Sequence, residues 1–522
     1  MEPRSNEDYV EPRQSKKQEP ISRQGSMVFW SDYKKHSWYP FLSSFTFSIA
    51  AINIGYNIAI INALTDYYAL VQQWCINDTP NSVIACETYK SYSGFVKIAS
   101  LIGGGVGCLI YPLLGVQSLK RAFLFTNIAF ILCHILLMHL TEYLVLLVSI
   151  RIIIGILIGY LCCIIPNYIA EICPSNVRGR FGVLHQFMIT VGILLATIAP
   201  FGTIREWPIE NFVNYEVPDS VSALLKYNYY IPIIASIISI ILVHLSYNYE
   251  TPQYYVSHRR LNDARSLLKL LHNKENVDEE LTEIIKSNQQ ANNVRRQKKS
   301  FVHGLKQSKN LRKVLLFGIF LSTFQQITGI NVFITSSNLL FRLAGYTGDK
   351  PMIISLIMNA VNCLVTIPAL YLIEKLGRRT LLLIGVGGMT LSILPAAIAF
   401  WFKDETNHIA RTLATIGCIG FIISFAISYG PILWVYLAEI FPVEFKFQLN
   451  SICLALNWFF AVLMVYIAQY LYIRVSYSVL AVACLVAFIV LWFFMKETKG
   501  TVLGDIAETS HTKQSMEVSE NI

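Results

Sequence analysis

Charged residues are scarce in this sequence. Of its 522 residues only 14% are Asp, Glu, Lys or Arg, whereas 54% are hydrophobic. An ordinary soluble protein carries about 25% charged residues, so this composition excludes an ordinary soluble fold. The first 35 residues or so are polar and mix both charge signs. They lack the apolar core of a cleaved signal peptide and are typical of a disordered tail.

The sequence also lacks the short motifs of catalysis. It has no nucleophile elbow, no phosphate-binding loop and no spacing of metal ligands, which argues against an enzyme and predicts neither a cofactor nor a metal site. The net charge of +9 is compatible with nucleic-acid binding. However, its Lys and Arg collect in short loops, as they do on the cytoplasmic side of membrane proteins. We therefore predict no nucleic-acid partner.

What the chain has in abundance is apolar stretches of about 20 residues, the length of a helix that crosses a bilayer. In lipid the backbone amides find no water, so such stretches have to be helical. The sequence therefore predicts an all-α polytopic membrane protein with the lipid bilayer around it. The twelve predicted spans are residues 41–64, 94–114, 120–140, 143–165, 181–201, 229–247, 314–336, 352–373, 379–401, 411–438, 448–470 and 477–495.

The basic residues are concentrated in particular loops. Those in the loops after spans 2, 4, 8 and 10 are Lys120, Arg121, Arg178, Arg180, Lys375, Arg378, Arg379 and Lys446. The positive-inside rule places these loops, and both termini, in the cytoplasm. The predicted parts are an N-terminal tail (1–40), a six-span bundle (41–250), a cytoplasmic linker with short helices (251–313), a second six-span bundle (314–495) and a C-terminal tail (496–522).

Nine of the eleven cysteines lie in or against predicted spans, where they serve as small apolar residues. The other two, Cys75 and Cys86, flank the single glycosylation sequon, Asn77-Asp78-Thr79. The charge rule places this loop outside, so Asn77 is the predicted glycosylation site. Whether Cys75 and Cys86 form a disulfide in an oxidising compartment stays open.

One short segment occurs in both halves of the chain. Residues 168–174, at the end of span 4, and residues 436–442, at the end of span 10, share five of seven positions. In each half a cation follows seven residues after the Glu: Arg178 follows Glu171, and Lys446 follows Glu439. The repeat indicates that a six-span unit was duplicated. Transporters built in this way bind their substrate between the halves, near the middle of the membrane.

Motifs between Gly55 and Gly500 resemble those of the sugar porter family of the major facilitator superfamily, in particular the animal facilitative glucose transporters. They include Gly55-Tyr56-Asn57, Pro166 to Glu171, Arg178-Gly179, His185-Gln186, Gln325-Gln326, Gly329-Ile330-Asn331, Glu374 to Arg379, Gly430-Pro431, Asn457-Trp458 and Glu497 to Gly500. The resemblance implies the major facilitator fold. It also implies transport of a hexose, with D-glucose expected, by alternating access in the plasma membrane.

Charged residues of both signs stand where the spans of both halves reach the cytoplasmic side. Opposite charges there can pair across the bundles when this mouth is closed and separate when it opens. The alternative is that these charges are solvated and only set the topology, in which case each pair contributes about 0–1 kcal/mol to stability. The positive-inside rule, however, does not require glutamates. The predicted gate consists of Glu171, Arg178, Glu250, Glu374, Arg378, Arg379, Glu439, Lys446 and Glu497.

A sugar site needs side chains that both donate and accept hydrogen bonds, together with an aromatic face. Polar groups deep in a membrane usually face the protein interior. The predicted substrate-binding residues are Gln186, Gln325, Gln326, Asn331, Asn362 and Trp434, which also match sugar-contacting positions of the family. Gln325 and Asn331 are six positions apart and therefore about 120° round the helix from one another, since a helix turns about 100° per residue. Gln326 is five positions from Asn331, a spacing that still allows both to border one cavity.

Several positions depart from the glucose-carrier pattern. Ser322-Thr323-Phe324 replaces Gln-Leu-Ser, Thr335 and Ser336 replace two tyrosines, Ala426 replaces a glucose-contacting Glu and Ala461 replaces an Asn. The first and third changes also occur in fructose-type carriers, whereas Trp434 and His185-Gln186 are glucose-like. A fructose-preferring uniporter is therefore the alternative to a glucose carrier.

A proton–sugar symporter is a further alternative, and it needs a titratable group in the membrane. Proton-coupled relatives have Asp in place of Asn57, and an amide cannot take that role. Span 1 has no acid before Asp66 at its outer end, so we predict no coupling ion. A non-transporting sugar sensor is less favoured, because such proteins tend to carry a long signalling tail and only 27 residues follow Met495.

The topology yields the first testable prediction. Asn77 should be the one glycosylated position, and a tag in the linker near Arg295 should be hidden from antibody on intact cells, because the charge rule places the linker inside. Antibody labelling before and after permeabilisation measures this. Labelling of the linker tag on intact cells would contradict the arrangement.

Overall fold

The computed structural model describes residues 38–72, 74, 87–114, 118–140, 143–200, 226–246, 249–296, 301–402, 407–442 and 444–499. Within these ranges twelve helical spans are long and apolar enough to cross a membrane, which confirms the predicted all-α fold and number of spans. Spans 1 to 12 are Tyr39–Ala69, Glu87–Leu113, Leu119–Leu140, Leu144–Ile172, Arg178–Ile198, Tyr227–Leu245, Lys309–Leu343, Lys350–Leu376, Arg378–Phe402, His408–Ile440, Lys446–Ala468 and Arg474–Phe494.

Some predicted features lie outside the described residues. They are the sequon at Asn77 with Cys75 and Cys86, residues 201–225 of the loop after span 5, and nearly all of both tails. The domain boundaries stay predictions. The nine other cysteines are buried and free, as expected of small apolar residues inside spans.

Several spans extend further than the apolar pattern predicts. Span 4 continues to Ile172 instead of ending near residue 165, and span 8 continues to Leu376 instead of residue 373. The prediction ended each span where polar residues begin, because charge is unfavourable in lipid. The added turns carry Glu171 and Glu374, whose partners lie within the protein, so these turns remain helical.

Spans 7 and 10 are each built from two helices. Span 7 comprises Lys309–Ile327 and Ile330–Leu343, and Gly329 between them has φ 93°. Glycine is the residue that adopts this left-handed conformation without steric cost. Span 10 comprises His408–Ile427 and Tyr429–Ile440. Pro431 lies in the first turn of the second helix, where its missing N–H is not needed.

The most extensive packing between the halves joins span 2 to span 11 and span 5 to span 8. Four helices occupy the interval between spans 6 and 7: Pro252–Ser257, Leu261–His272, Asp278–Arg296 and Phe301–Gln307. The second of these buries an apolar face that includes Leu267, Leu268 and Leu271. We call the end of the molecule that carries these helices the linker side, and the other end the far side.

Candidate functional site

A central cavity of about 510 Å³ lies between the halves. Its walls include all six side chains that the sequence predicts for substrate binding, namely Gln186, Gln325, Gln326, Asn331, Asn362 and Trp434. Isoleucines of spans 1 and 5 and Phe425 supply apolar surface. A mostly apolar cavity with a few converging polar groups is the usual form of a small-molecule site.

Four amides on one wall form a hydrogen-bonded network. The Asn331 amide donates to Gln326 Oε1 at 2.7 Å, and the Gln326 amide donates to Asn457 Oδ1 at 3.0 Å. The Asn457 amide donates to Gln325 Oε1 at 2.9 Å and to the Ser322 carbonyl at 2.7 Å. Each amide thus fixes the orientation of the next, and the wall presents a defined set of donors and acceptors.

The break in span 7 brings Asn331 into this network. The prediction of about 120° between Gln325 and Asn331 assumed an unbroken helix and is wrong for that reason. Gly329 ends the first helix, and the second begins at Ile330. Asn331 therefore lies in the first turn of a separate helix, from which its side chain reaches Gln326. The glycine was visible in the sequence, but its backbone angle was not.

Gln186 and Trp434 join the two halves across the cavity. Trp434 Nε1 donates to Gln186 Oε1 at 3.0 Å, and both side chains are buried. The neighbouring His185 ring meets the Trp434 ring edge-on, with centroids 5.1 Å apart. Gln186 and His185 of the first half thus both contact the Trp434 indole. Sugar binding by either residue stays a prediction.

Asn362 differs from the other cavity amides because its side-chain oxygen has no partner. The residue is 1% exposed, and Asn362 Oδ1 accepts no hydrogen bond among the described residues. An unpaired buried acceptor is unfavourable by about 1–3 kcal/mol. Since this atom belongs to a cavity wall, a ligand hydroxyl is a suitable partner for it.

Sequence reasoning missed two wall residues. Asn457 and Trp458 of span 11 line the cavity, although the sequence analysis used them only as a family motif. An amide in the middle of an apolar stretch is the signal that would have found Asn457. Ala426 and Ala461, which replace polar residues of the family, are fully buried.

At the linker side, Arg378 is the centre of the charged cluster. Its side chain is 1% exposed and forms ion pairs with Glu374 at 3.2 Å and with Glu439 at 2.9 Å. Thr498 donates to Glu439 as well, at 2.6 Å. Glu497 accepts from the backbone amides of Arg378 and Arg379 at 2.8 and 2.9 Å. These direct contacts all lie within the second half.

Glu374 also reaches the first half. The backbone amide of Arg180, in the first turn of span 5, donates to Glu374 Oε1 at 3.1 Å. A helix N-terminus favours a carboxylate, because its first amides lack partners within the helix. The approach is close: a Cβ on Gly179 would stand 2.2 Å from an Arg378 side-chain nitrogen. Only glycine fits there without displacement of Arg378.

The repeated motif produces a reciprocal arrangement of charges. Glu171 of the first half interacts electrostatically with Lys446 of the second, and Arg178 of the first half with Glu439 of the second. Each repeated glutamate thus faces the cation that belongs to the other repeat. Opposite charges of the two halves thus lie near one another, whereas the direct ion pairs lie inside the second half. Their action as a gate stays a prediction.

Two predicted gate residues lie at the edge of this cluster. Glu250 accepts a short hydrogen bond from the Ser118 hydroxyl, and burial raises the pKa of the Glu250 carboxyl, although that hydroxyl opposes the shift. Arg379 donates to the Trp492 carbonyl at 2.8 Å. Both sets of contacts remain within one half.

The far side has its own polar contacts between the halves. Arg342 of span 7 pairs with Asp66 of span 1 at 3.0 Å, and Tyr89 of span 2 donates to Asp66 at 2.7 Å. One turn deeper, Asn62 donates to Ser337 at 2.9 Å. We call these five residues the far-side seam. Sequence reasoning noted Asp66 only as an acid at the end of span 1 and missed its partner, which is 276 positions away.

Both mouths of the cavity are therefore bridged in this structure. The sequence matches a known protein family. Residues 43–509 match the family described as sugar (and other) transporter. The chain belongs to the sugar transporter family. It is a transporter and not an enzyme, as the sequence predicted.

Known members of the sugar transporter family match most of the chain. Hexose transporter 1 of Plasmodium knowlesi is 31% identical over 462 residues, which cover 87% of this chain and 90% of the relative. Facilitated glucose transporter protein 1 of Caenorhabditis elegans is 28% identical over 484 residues and covers 89% of each chain.

A solved structure matches the fold. The proton:xylose symporter XylE, bound to 6-bromo-6-deoxy-D-glucose, aligns with a TM-score of 0.73 at 21% sequence identity, over 90% of this chain and 99% of XylE. The predicted major facilitator fold is thereby confirmed. At this level of identity the likeness concerns the fold alone.

The linker-side contacts yield the second prediction. Glu374→Gln should weaken closure of this mouth by roughly 1–2 kcal/mol, because the backbone amide of Arg180 in the first half loses a charged hydrogen-bond acceptor. Glu171→Gln should have a smaller effect, since no direct ion pair joins Glu171 to Lys446. Hydrogen–deuterium exchange of residues 437–441 measures the opening. Glu283→Gln on an exposed linker helix is the matched control, and equal exchange in all three variants would contradict the role of the cluster.

Proposed function

We propose that the protein is a facilitative hexose transporter whose preferred substrate is D-glucose. The observation that carries the proposal is the central cavity, in which six amides and two indoles from both halves converge. The names of the relatives, a hexose transporter and a glucose transporter, support the same substrate class.

The chemistry of the cavity suits a neutral polyol. Amides offer both donors and acceptors, which is what a ring of hydroxyls requires. The oxygen of Asn362 is unpaired, and the hydrogen bond from Trp434 leaves the Gln186 amide nitrogen available for a ligand. No charged side chain lies among the residues that line the cavity, and this disfavours an ionic substrate.

The two bridged mouths support alternating access. We assign the linker side to the cytoplasm and the far side to the exterior, because Lys and Arg concentrate at the linker side. The nine predicted gate residues then act at the inner mouth, where Arg180 and Gly179 of the first half lie close to Glu374 and Arg378 of the second. The far-side seam acts at the outer mouth. The contacts that cross between the halves at each mouth have their partners only when that mouth is closed, which favours a two-state transition.

The transport mode that we propose is uniport, in the plasma membrane and with both termini cytoplasmic. Asn57 stands where proton-coupled relatives have Asp, and its side chain donates to the Asn53 carbonyl at 2.8 Å. The acid of span 1, Asp66, is held by Arg342 and Tyr89. XylE, which shares the fold, is named a proton symporter, so the proposal rests on the residues of this chain.

Glucose is favoured over fructose because Trp434 and Gln186 are retained and bonded to each other. The observation that favours a fructose-preferring carrier is Ala426, because this position holds a glucose-contacting glutamate in glucose carriers. Competition between the two sugars for uptake of labelled glucose decides between them. Stronger inhibition by fructose would mean that Ala426 and residues 322–324 determine the sugar.

The third prediction concerns sugar affinity. Asn362→Ala should weaken glucose binding roughly 5- to 150-fold. One sugar hydroxyl loses its hydrogen-bond partner, which is unfavourable by about 1–3 kcal/mol. Without sugar the variant should unfold at the wild-type temperature, since Asn362 Oδ1 accepts no internal hydrogen bond that the substitution could remove. Gln186→Ala and Asn331→Ala should weaken binding as well, but they also lose the bonds to Trp434 and Gln326.

Thermal unfolding with and without glucose separates these effects, because a ligand that binds only the folded state raises the melting temperature. Asn127→Ala is the matched control: this buried amide of span 3 bonds to the Phe123 carbonyl and does not line the cavity. Unchanged glucose affinity in Asn362→Ala would remove that residue from the site.

The fourth prediction concerns coupling. Proteoliposomes should take up glucose to the external concentration and no further, with or without a pH gradient, because Asn57 carries no proton. Tracer uptake against time measures the plateau. Accumulation above the external concentration that an uncoupler abolishes would replace uniport with proton symport.

A further inference from the structure

Lys97 of span 2 is a buried cation that the proposed transport mechanism does not use. Its side chain is 4% exposed and lies about two helical turns beyond Tyr89. Among the described residues its ammonium group forms no hydrogen bond and no ion pair. Ionisable side chains within membrane spans are rare and usually have a function. Lys97 does not line the central cavity, so a direct contact with the sugar does not explain it.

Lys97 and Arg342 compete for one carboxylate. Asp66 of span 1 attracts the Lys97 charge, and Arg342 of span 7 repels it. No other carboxylate in the described part of the chain acts on Lys97. Asp66 pairs with Arg342 at 3.0 Å and accepts a hydrogen bond from Tyr89 at 2.7 Å. In this structure Arg342 therefore holds the carboxylate, and Lys97 is left without it.

The two competing cations belong to different halves. Asp66 and Lys97 lie on spans 1 and 2, whereas Arg342 lies on span 7. When the far-side mouth opens, Arg342 moves away with the second half and Lys97 stays beside Asp66. The surroundings of Lys97 change as well, because Gly94, one turn earlier on span 2, lies against the Gln469 side chain of span 11. Opening therefore removes the repulsion from Arg342 and admits water to this part of span 2.

The same charges make closure less favourable. A buried cation without a partner is strongly unfavourable, and a second cation nearby adds to that effect. Closure gives Asp66 the Arg342 partner but buries Lys97 without one. In the open mouth Asp66 has Lys97 and Tyr89, and Arg342 has water. Lys97 thus raises the free energy of the closed mouth relative to the open mouth.

We propose that Lys97 is a competing counter-ion of Asp66 that biases the far-side mouth towards opening. It takes over the carboxylate that Arg342 releases. The two cations act in opposite directions on one equilibrium, since Arg342 stabilises the closed mouth and Lys97 the open one. This inference rests on the proposed alternating access and concerns how readily the far side opens.

Hydrogen–deuterium exchange of residues 334–339 in the absence of sugar measures opening of the far-side mouth. Lys97→Met removes the charge and keeps a long side chain. It should lower this exchange roughly 1.5- to 5-fold, the range that a solvated ion pair provides. Arg342→Gln should raise the exchange. The matched control is Lys90→Met, at a half-buried lysine of the same span that has no ion pair among the described residues, and it should leave the exchange unchanged.

Glucose kinetics measure the same equilibrium from each side. The apparent affinity on one side falls with the fraction of carriers that are open to that side. Lys97→Met should therefore raise the half-saturation constant for entry from the far side and lower the constant for exit. Arg342→Gln should do the reverse. Entry and exit are measured in sealed vesicles of one orientation, and a residue that only supports packing would not shift the two constants in opposite directions.

A second neutral variant, Lys97→Gln, replaces Lys97→Met if the latter fails to fold. Exchange that rises in the neutral variant, as in Arg342→Gln, would mean that Lys97 holds the mouth closed and would overturn the proposal. Exchange equal to that of the wild type would overturn it as well. Failure of the proposed function would appear separately, as a wild-type protein that transports no glucose, because the exchange measurement needs no sugar.

Discussion

No water reaches a helix in lipid, so each polar group there needs a partner inside the protein. Most of the intramembrane polar groups of this chain obey that constraint through contacts with neighbouring spans. Gln325, Gln326, Asn331 and Asn457 bond to one another, and spans 7 and 10 break only where they border the cavity. Asn362 Oδ1 is one of several buried polar atoms that have no partner among the described residues, and it belongs to a residue of the cavity wall.

The same constraint explains why both mouths carry polar contacts. Arg378 is tolerable in a buried position because Glu374 and Glu439 neutralise it, and Asp66 is tolerable because of Arg342 and Tyr89. A pair that crosses the halves, such as Asp66 with Arg342, prefers either a closed mouth with its partner or an open mouth with water. At intermediate separations the charges have neither, and a buried charge without a partner is strongly unfavourable. This supports the proposed alternation between two states.

The twelve spans could be predicted from the sequence because lipid imposes a length and a composition on each of them. The six residues that share the cavity could be predicted because amides are rare in apolar stretches and these match a family pattern, and their role in sugar binding stays a prediction. Other features depend on three-dimensional proximity: the bond from Arg180 to Glu374 and the pairing of Asp66 with Arg342. No spacing in the sequence reports them. The angle between Gln325 and Asn331 was predicted wrongly because Gly329 separates two helices.

The central claim is that one cavity serves both sides of the membrane in turn. Counterflow tests it most directly: proteoliposomes are loaded with unlabelled glucose and diluted into a trace of labelled glucose. A carrier that alternates returns with label each time it releases unlabelled sugar, so the label should rise inside above its outside concentration and then decay. A monotonic approach to equilibrium in liposomes that demonstrably take up glucose would indicate a channel-like path, and it would contradict the account.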